Sequence, residues 1–275
     1  MDPPSIPIAI LIMVAAAGLA ALAMVAVRRL ARGPLLIDPT RGTTMITVVG
    51  TAFAILLAFI IVDAFQTYSG ARSAADEEAT ATLEMFRTAG RFPAEEGDAL
   101  RSDLVCYARA VAYSEWPAMR DGRTSPLVVP WINRWNGALD RSGLRTARER
   151  LAFSQFTTED DARTTAGVER FREASPSVPS ILWLVLILGA CLAVALQLSM
   201  GDPRERLWVH AAMIGTVAAI LTAGLLLVNY LDHPYSGESG SIEPTAMQFS
   251  LAAMDGIDPD LKPPCEADGR PLGRS

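Results

Sequence analysis

The chain has 275 residues, of which 51% are hydrophobic and 20% are charged, and its formal net charge is -6 at pH 7. A mean hydropathy of +0.27 is too high for a secreted or cytosolic protein with one soluble core, while the charged fraction is too high for a wholly embedded one. The composition also excludes a fibrous protein and a disordered chain.

Four long runs without a formal charge account for the high hydropathy. A helix needs about 20 such residues to cross the hydrocarbon core of a bilayer. We therefore predict an all-α protein with four transmembrane helices and a soluble helical insert between helices two and three. The uncharged runs are residues 3–27, 42–62, 174–201 and 207–231.

These runs divide the chain into four predicted regions. Residues 1–63 contain the first two spans and a basic connecting loop, and residues 178–231 contain the last two spans. Residues 64–177 form the soluble insert. Residues 232–275 form a polar C-terminal tail, expected to be disordered from Gly256 to Ser275 because that stretch is rich in Gly, Pro and charge.

The first run is predicted to be a retained membrane helix rather than a cleaved signal peptide, because only Asp2 precedes it and its arginines follow it. The loop 28–41 carries four arginines, and bases in short loops favour the cytoplasmic side. The loop 200–206 should lie on the same side. The insert and the tail are therefore expected on the outer side of the membrane.

Small residues recur at four-residue spacing on the second and fourth spans. Such stripes let helix backbones approach closely, which is a main source of helix association in lipid. We expect them to hold the bundle together, with contact between subunits as the alternative. The stripes are Gly50, Ala54 and Ala58 on the second span, and Ala211, Gly215, Ala219 and Ala223 on the fourth.

The insert is predicted to be helical, since its apolar residues recur at three- and four-residue spacing. One helix should continue out of the second span until Gly90 and Pro93 end it. Further helices should include Leu100 to Ala112, with Pro117 after them, and then Trp131 to Leu139. Another should run through Leu151. Thr158, followed by three acids, marks the predicted start of the last helix.

The chain lacks the usual signals of catalysis and metal binding. Its two histidines and three cysteines have no paired ligand spacing, and no phosphate loop, dinucleotide fingerprint or nucleophile elbow occurs. We expect no enzyme activity, no cofactor and no metal site. Acids and arginines nearly balance in the insert, which argues against nucleic acid as a partner.

The remaining acids and cysteines are expected to have no special role. The acids at positions 76–78 and 159–161 are expected to lie on solvated helix faces. Cys106 and Cys265 could form a disulfide if the outer side is oxidising, but unpaired cysteines are the favoured interpretation.

Two groups of residues are candidates for an ion pathway. Phe53, Leu57 and Ile60 form an apolar stripe on the second span, which could make a constriction that gates by dewetting if several copies place it around an axis. Packing against lipid or a neighbouring helix is the alternative. Asp63, Asn229 and Asp232 lie near the outer ends of helices two and four, where they either mark the interface or form a cation-attracting mouth.

Four stretches of the chain resemble a bacterial membrane-protein family known as bestrophin-like. The resemblance covers nearly the whole chain in the same order, and its most specific parts are residues 115–117 and 233–237. The stretches are residues 49–59 (VGTAFAILLAF), 72–78 (RSAADEE), 107–117 (YARAVAYSEWP) and 231–237 (LDHPYSG).

The resemblance implies kinship with bestrophins, which are pentameric anion channels with four spans per subunit and a pore lined by the second span. It further implies that Phe53, Leu57 and Ile60 form the constriction and that the insert is cytoplasmic. We therefore expect a homo-oligomeric ion channel of a bacterial inner membrane, with membrane lipid and small inorganic ions as partners. The alternative is a non-transporting sensor or scaffold whose insert binds a partner.

Overall fold

The computed structural model describes residues 3–30, 39–143, 145–199, 206–238 and 240–273, and over these residues the fold is all-α without a strand. A π-helical turn, Val111–Glu115, joins the third helix to the fourth. In chain order the helices are α1 (Ile6–Leu30), α2 (Pro39–Ala89), α3 (Ala94–Ala110), α4 (Trp116–Arg120), α5 (Val128–Arg141), α6 (Ala147–Glu173), α7 (Ser180–Leu198), α8 (Leu207–Leu231) and α9 (Thr245–Ile257).

Contacts divide the chain into two compact units. The first consists of Met1–Tyr68 and Pro176–His233, and the second consists of Ser69–Ser175 and Pro234–Ser275. The first contains α1, α7, α8 and the N-terminal part of α2, and is called the membrane unit below. Among the described residues, the helices long and apolar enough to cross a bilayer are α1, Thr44–Ala89 of α2, α7 and α8. The four predicted spans are therefore confirmed.

Helix α1 packs most extensively against α8. Ala20 and Met24 of α1 are buried against Ile214 and Ala218 of α8. At Gly215 a Cβ atom would lie 3.1 Å from the carbonyl oxygen of Ala17, so the absence of a side chain allows this close approach.

A second apolar core joins α2 to α7 and α8. Its buried members include Phe53, Leu186 and Val228. Two glycines admit side chains from α2: a Cβ on Gly189 would lie 2.5 Å from the Phe53 ring, and a Cβ on Gly224 would lie 2.9 Å from a methyl carbon of Leu57.

The second unit, called the soluble unit below, is built around large aromatic side chains. Trp131, Trp135, Tyr107, Phe86 and Phe156 are all fully buried. The tryptophans lie one turn apart on α5, as the sequence spacing predicts, and α2 ends at Ala89, just before the predicted stop.

Two predicted helix boundaries in the soluble unit are wrong. Thr158 does not start a helix, because α6 already begins at Ala147 with a capping box in which Thr146 and Glu149 bond each other's backbone N–H groups. The Thr158 hydroxyl instead donates to the carbonyl of Ser154 within the helix. Pro117 does not end a helix either, since the π-helical turn carries the chain past it into α4.

The prediction of a disordered tail is wrong over residues 256–273. Helix α9 is followed by residues 258–273, called the tail segment below. The tail segment belongs to the soluble unit and is joined to α3 by a disulfide between Cys265 and Cys106. The favoured interpretation of unpaired cysteines is also wrong for this pair, because burial brings their sulfurs together. Cys191 is free.

Substituting Gly189 with alanine should destabilise the membrane unit. The new methyl group would overlap the Phe53 ring, and overpacking of this kind costs about 1–3 kcal/mol. Thermal unfolding of the detergent-solubilised protein measures the effect, with Gly18→Ala as the matched control because no atom lies within 4 Å of a Cβ at Gly18. Equal unfolding midpoints for the two variants would contradict the observed packing.

Candidate functional site

Three of the four motif stretches that carry the sequence resemblance contribute residues to one buried cluster in the soluble unit. Residues 72–78 contribute Glu78, residues 107–117 contribute Tyr107, Glu115 and Trp116, and residues 231–237 contribute Tyr235. The side chain of Arg170, on α6, lies among them. We call this set, together with Arg163 and Asp160, the ionic cluster.

Arg170 pairs with carboxylates from two other parts of the chain. Its Nε donates to an oxygen of Glu78 at 2.5 Å, and one terminal nitrogen donates to Glu115 at 2.5 Å. The Arg170 side chain is only 2% exposed. The pairs therefore join α2, α6 and the π-helical turn through charges that are removed from water.

Tyr107 and Arg163 extend the ionic cluster. The Tyr107 hydroxyl donates to Glu78 at 2.5 Å, and Arg163 donates to the same hydroxyl oxygen at 3.1 Å. Arg163 also donates to Asp160 at 2.6 Å. Its guanidinium stacks over the rings of Tyr107 and Trp135, an arrangement that favours a desolvated cation.

The environment shifts the pKa values of these groups. Burial raises the pKa of Glu115, and the charge of Arg170 only partly opposes the effect. Burial raises the pKa of Tyr107 well above its ordinary value, and the neighbouring Glu78 raises it further. Burial alone would lower the pKa of Arg170, but the carboxylates of Glu78 and Glu115 outweigh it, so the pKa is raised and Arg170 stays charged.

Two aromatic side chains frame the ionic cluster. The rings of Trp116 and Tyr235 meet edge to face with their centroids 5.4 Å apart, and Arg170 lies over the Trp116 ring at 5.1 Å. Both polar tips are satisfied: Trp116 donates to the carbonyl of Ile242 at 3.0 Å and Tyr235 to that of Ala71 at 2.8 Å. The segment after Pro234 is thus anchored to the same site.

The π-helical turn places Glu115 in the cluster. Pro117 has no N–H, and in a regular α-helix its ring would clash with the carbonyl four residues earlier, that of Tyr113. The chain instead widens, and the N–H of Trp116 bonds the carbonyl of Val111, five residues back. Turns of this kind occur often at functional sites.

One wall of the ionic cluster faces a cavity of about 610 Å³. Charged side chains of the cluster line it together with apolar ones, among them Val128, Ile132 and Phe171. The charged groups bond to one another across the cluster. The arrangement therefore acts chiefly as an electrostatic clamp between helices.

The ionic cluster was not predicted from the sequence, although a signal was present. Glu78 was expected on a solvated face, but it is buried, and Asp160 is paired rather than freely solvated. Glu78 lies three and four residues after Ala75 and Ala74, which places it on their buried face. Arg163 and Arg170 are likewise spaced around the buried Ala166.

Phe53 and Ile60, two of the three candidates for a constriction, lie on the inner side of α2. Both are buried in the apolar core that joins α2 to α7 and α8 of the same chain, and Leu57 is half-buried against Gly224. Within one copy of the chain, these residues therefore pack against neighbouring helices.

The mouth candidates separate into different roles. Asp232 is 1% exposed, and one of its carboxylate oxygens accepts the backbone N–H groups of Ser177 and Val178 at 2.7 and 3.0 Å. It therefore fixes the chain just before α7. Asn229 accepts a hydrogen bond at its carbonyl from the His233 ring at 2.9 Å, and Asp63 is exposed.

The small-residue stripes also differ from each other. On α8, Ala211 and Gly215 are buried, Gly215 against α1, while Ala219 and Ala223 are half-buried. On α2, the stripe of Gly50, Ala54 and Ala58 lines an apolar cavity of about 370 Å³ whose other walls come from α7 and α8. We call this cavity the membrane groove. In its α2 stripe, Ala54 and Ala58 are exposed and Gly50 is half-buried.

Within the described residues, no group of three or more His, Cys, Asp or Glu side chains could hold a metal ion. The fold and the site together define a helical membrane protein of four spans, whose soluble unit is organised by a buried ionic cluster.

Comparison with known proteins identifies the family. The model of the bestrophin-like domain matches residues 13–247, so the chain belongs to that family. Crystal structures of variants of a bacterial bestrophin homologue from Klebsiella pneumoniae share the fold. A tryptophan-to-alanine variant aligns with a TM-score of 0.69 at 16% identity, over 92% of this chain and 99% of the other.

A second variant of the same homologue, with aspartate replaced by alanine, gives a TM-score of 0.67 at 17% identity over 91% of this chain and 99% of the other. No curated protein sequence matches the chain. The structural likeness, at these identities, establishes the fold, and the family model establishes the membership.

Replacing Arg170 with methionine should strongly destabilise the soluble unit. The substitution leaves the carboxylates of Glu78 and Glu115 buried without their partner, which costs about 3–5 kcal/mol for a broken buried pair. Thermal unfolding measures the loss. Arg172→Met is the matched control, since that side chain is exposed on the same helix and should change the midpoint little.

Neutralising the two carboxylates checks that their unpaired charges cause the loss of stability. Adding Glu78→Gln and Glu115→Gln to Arg170→Met removes the unpaired charges and should recover part of the lost stability. If Arg170→Met and Arg172→Met unfold at the same temperature, the ionic cluster does not hold the unit together.

Asp103 should make stability depend on pH. It pairs with Arg134 at 3.0 Å, but burial outweighs this pairing and raises its pKa from 3.8 to about 6. The folded protein then holds the proton more tightly than the unfolded chain. The contribution of Asp103 to stability is therefore complete below about pH 4 and is lost as the pH rises through about 6.

Comparison of wild type with Asp103→Asn isolates this effect. As the pH rises between those limits, the wild-type unfolding midpoint should fall relative to that of the variant. Asp98→Asn, an exposed position on the same helix, controls for the loss of one negative charge. A wild-type midpoint that rises relative to Asp103→Asn over this interval would refute the assigned direction.

Proposed function

We propose that the protein is a homo-oligomeric ion channel of a bacterial inner membrane and that α2 lines the ion pathway. The proposal joins the family membership to one structural observation, an exposed row of large apolar side chains on α2. These are Val48, Ile55, Phe59 and Val62, called the outer row below. They are 53–71% exposed, and they are spaced by seven, four and three residues.

The outer row lies on the opposite side of α2 from the buried core. Because a helix turns by about 100° per residue, Val62 and Ile55 lie roughly half a turn away from Phe53 and Ile60. The outer row is thus exposed and available to meet other copies. Rings of apolar side chains in a narrow pathway can gate by dewetting.

Hydroxyl groups on the same side of α2 favour a pathway over simple contact with lipid. Thr44, Thr47 and Thr51 are exposed at three- and four-residue spacing. By contrast, α1 has no polar side chain from Ile6 to Val27. Polar side chains are costly against hydrocarbon and usually face a cavity or another helix.

The membrane groove supports an assembly of several copies. Small residues on α2 let a neighbouring backbone approach closely, which is the usual basis of helix association in lipid. The groove stripe and the outer row occupy adjacent sides of α2, since Ala58 and Val62 differ by about 40° around the helix. A neighbouring copy seated in the groove would therefore leave the outer row facing the shared axis.

Flux through purified protein in liposomes tests the proposal. The wild type should pass small ions above the level of empty liposomes. Ile55→Ala or Phe59→Ala should change that flux severalfold, because each removes a bulky side chain from the constriction. Leu19→Ala is the matched control, as Leu19 is equally exposed on α1. Particle images in detergent should show several subunits around a central passage.

Other outcomes would count against parts of the proposal. Absence of flux at every voltage and with both anions and cations would reject the channel. If Leu57→Ala alters conductance while Ile55→Ala and Phe59→Ala do not, the pathway follows the inner side of α2 instead.

A cavity in the soluble unit favours the second candidate, a non-transporting sensor or scaffold. Its volume is about 700 Å³, and residues of α3, α9 and the tail segment line it, including Val105, Arg109, Gln248, Met254 and Leu261. A monomer in detergent that passes no ions would support this function rather than the channel.

A further inference from the structure

We propose that the Cys106–Cys265 disulfide is formed by oxidation outside the cytoplasm, and that the segment between α2 and α7 therefore lies on the outer side of the membrane. This inference does not rest on the proposed channel. It assigns a covalent modification site and, through it, the compartment of the soluble unit.

The two cysteines are held together by the fold as well as by their bond. Cys106 and Cys265 are 159 positions apart in sequence, and both are buried. Arg109, one turn after Cys106 on α3, donates to the carbonyl oxygen of Cys265 at 3.2 Å. The tail segment thus meets α3 at a site made of several independent contacts.

Gly269 shows how closely the tail segment approaches α3. A Cβ on Gly269 would lie 2.4 Å from the backbone nitrogen of Ala110, and the residue has a φ of +81°, which favours glycine. Its carbonyl oxygen accepts from the Trp131 indole at 2.8 Å. Contacts at Cys265 and at Gly269 therefore hold the Cys265 sulfur beside that of Cys106.

The cysteine that is not paired provides a contrast. Cys191 lies within α7, a membrane span, and is a free thiol. The two cysteines of the soluble unit are both oxidised, while the one in the membrane unit is reduced. Oxidation of the full set in the soluble unit is typical of proteins folded in an oxidising compartment.

The charges of the short loops independently indicate that the soluble unit lies on the outer side. The sequence places four arginines in positions 28–41, which cover the end of α1, the start of α2 and the chain that joins them, and two in 200–206, between α7 and α8. Bases in short loops favour the cytoplasm. With four spans, the chain between α2 and α7 and the chain after α8 must then lie on the opposite side, where Cys106 and Cys265 would both be oxidised.

The chemistry balances as a thiol-disulfide exchange. A thiolate of one cysteine attacks the disulfide of an extracytoplasmic thiol oxidoreductase, and the second cysteine then displaces the enzyme from the mixed disulfide. One S–S bond forms between the Sγ atoms of Cys106 and Cys265, while the oxidoreductase takes up two electrons and two protons as its dithiol. In the cytoplasm, thiol reductants would oppose this reaction.

Fusions to the C-terminus of the full wild-type chain test the compartment directly. Alkaline phosphatase is active only after export, whereas green fluorescent protein fluoresces when it remains in the cytoplasm. We expect high phosphatase activity from the first fusion and no fluorescence from the second. Fluorescence with inactive phosphatase would overturn the proposal, whatever the state of the cysteines.

Thiol labelling tests the bond itself. Membranes are lysed in excess maleimide, denatured, and relabelled with a heavier maleimide after reduction. Wild type should take up two heavy labels only after reduction, and Cys265→Ser should take up none. Cys191→Ser, the matched control, should still take up two. Full labelling of the wild type before reduction would show reduced cysteines and overturn the proposal.

Discussion

The buried charge of Arg170 is the constraint on which the soluble unit depends. A guanidinium loses several kcal/mol of hydration on burial and recovers it only if its partners are close and well oriented. Glu78 and Glu115 meet that condition from two different parts of the chain. Helix α2, the π-helical turn and α6 must therefore keep their mutual positions, and the aromatic rings around them exclude the water that would weaken the ion pairs.

The membrane unit is held together by a different principle. Lipid gives no hydrophobic drive for helix association, so close backbone approach has to supply it. Gly189 and Gly215 provide that approach, one for the Phe53 ring and the other for the backbone of α1. Asp232 adds a polar connection by accepting backbone N–H groups just before α7. These contacts occupy the inner side of α2 and leave its outer row exposed.

The sequence predicted those features that depend on local patterns. Uncharged runs located the spans, and the spacing of Trp131 and Trp135 located the buried side of α5. It failed where distant residues decide the outcome. Periodicity alone could not tell that the Phe53 ring packs against a glycine in α7. Charge alone suggested a solvated Glu78, because its partner Arg170 is 92 positions away and no local rule joins them. The tail segment was expected to be disordered for the same reason, because the residues that hold it, Cys106 and Trp131, are distant in sequence.

The π-helical turn amounts to one surplus residue inserted between α3 and α4. Because every residue turns a helix by about 100°, that insertion sets the direction of all side chains after it. Tyr113 faces the cavity beside α9, whereas Glu115 and Trp116 face the opposite interior. A homologue that lost a single position here would turn its carboxylate away from the guanidinium. Sequence alignments of relatives should therefore preserve chain length at this point even where residue identities drift.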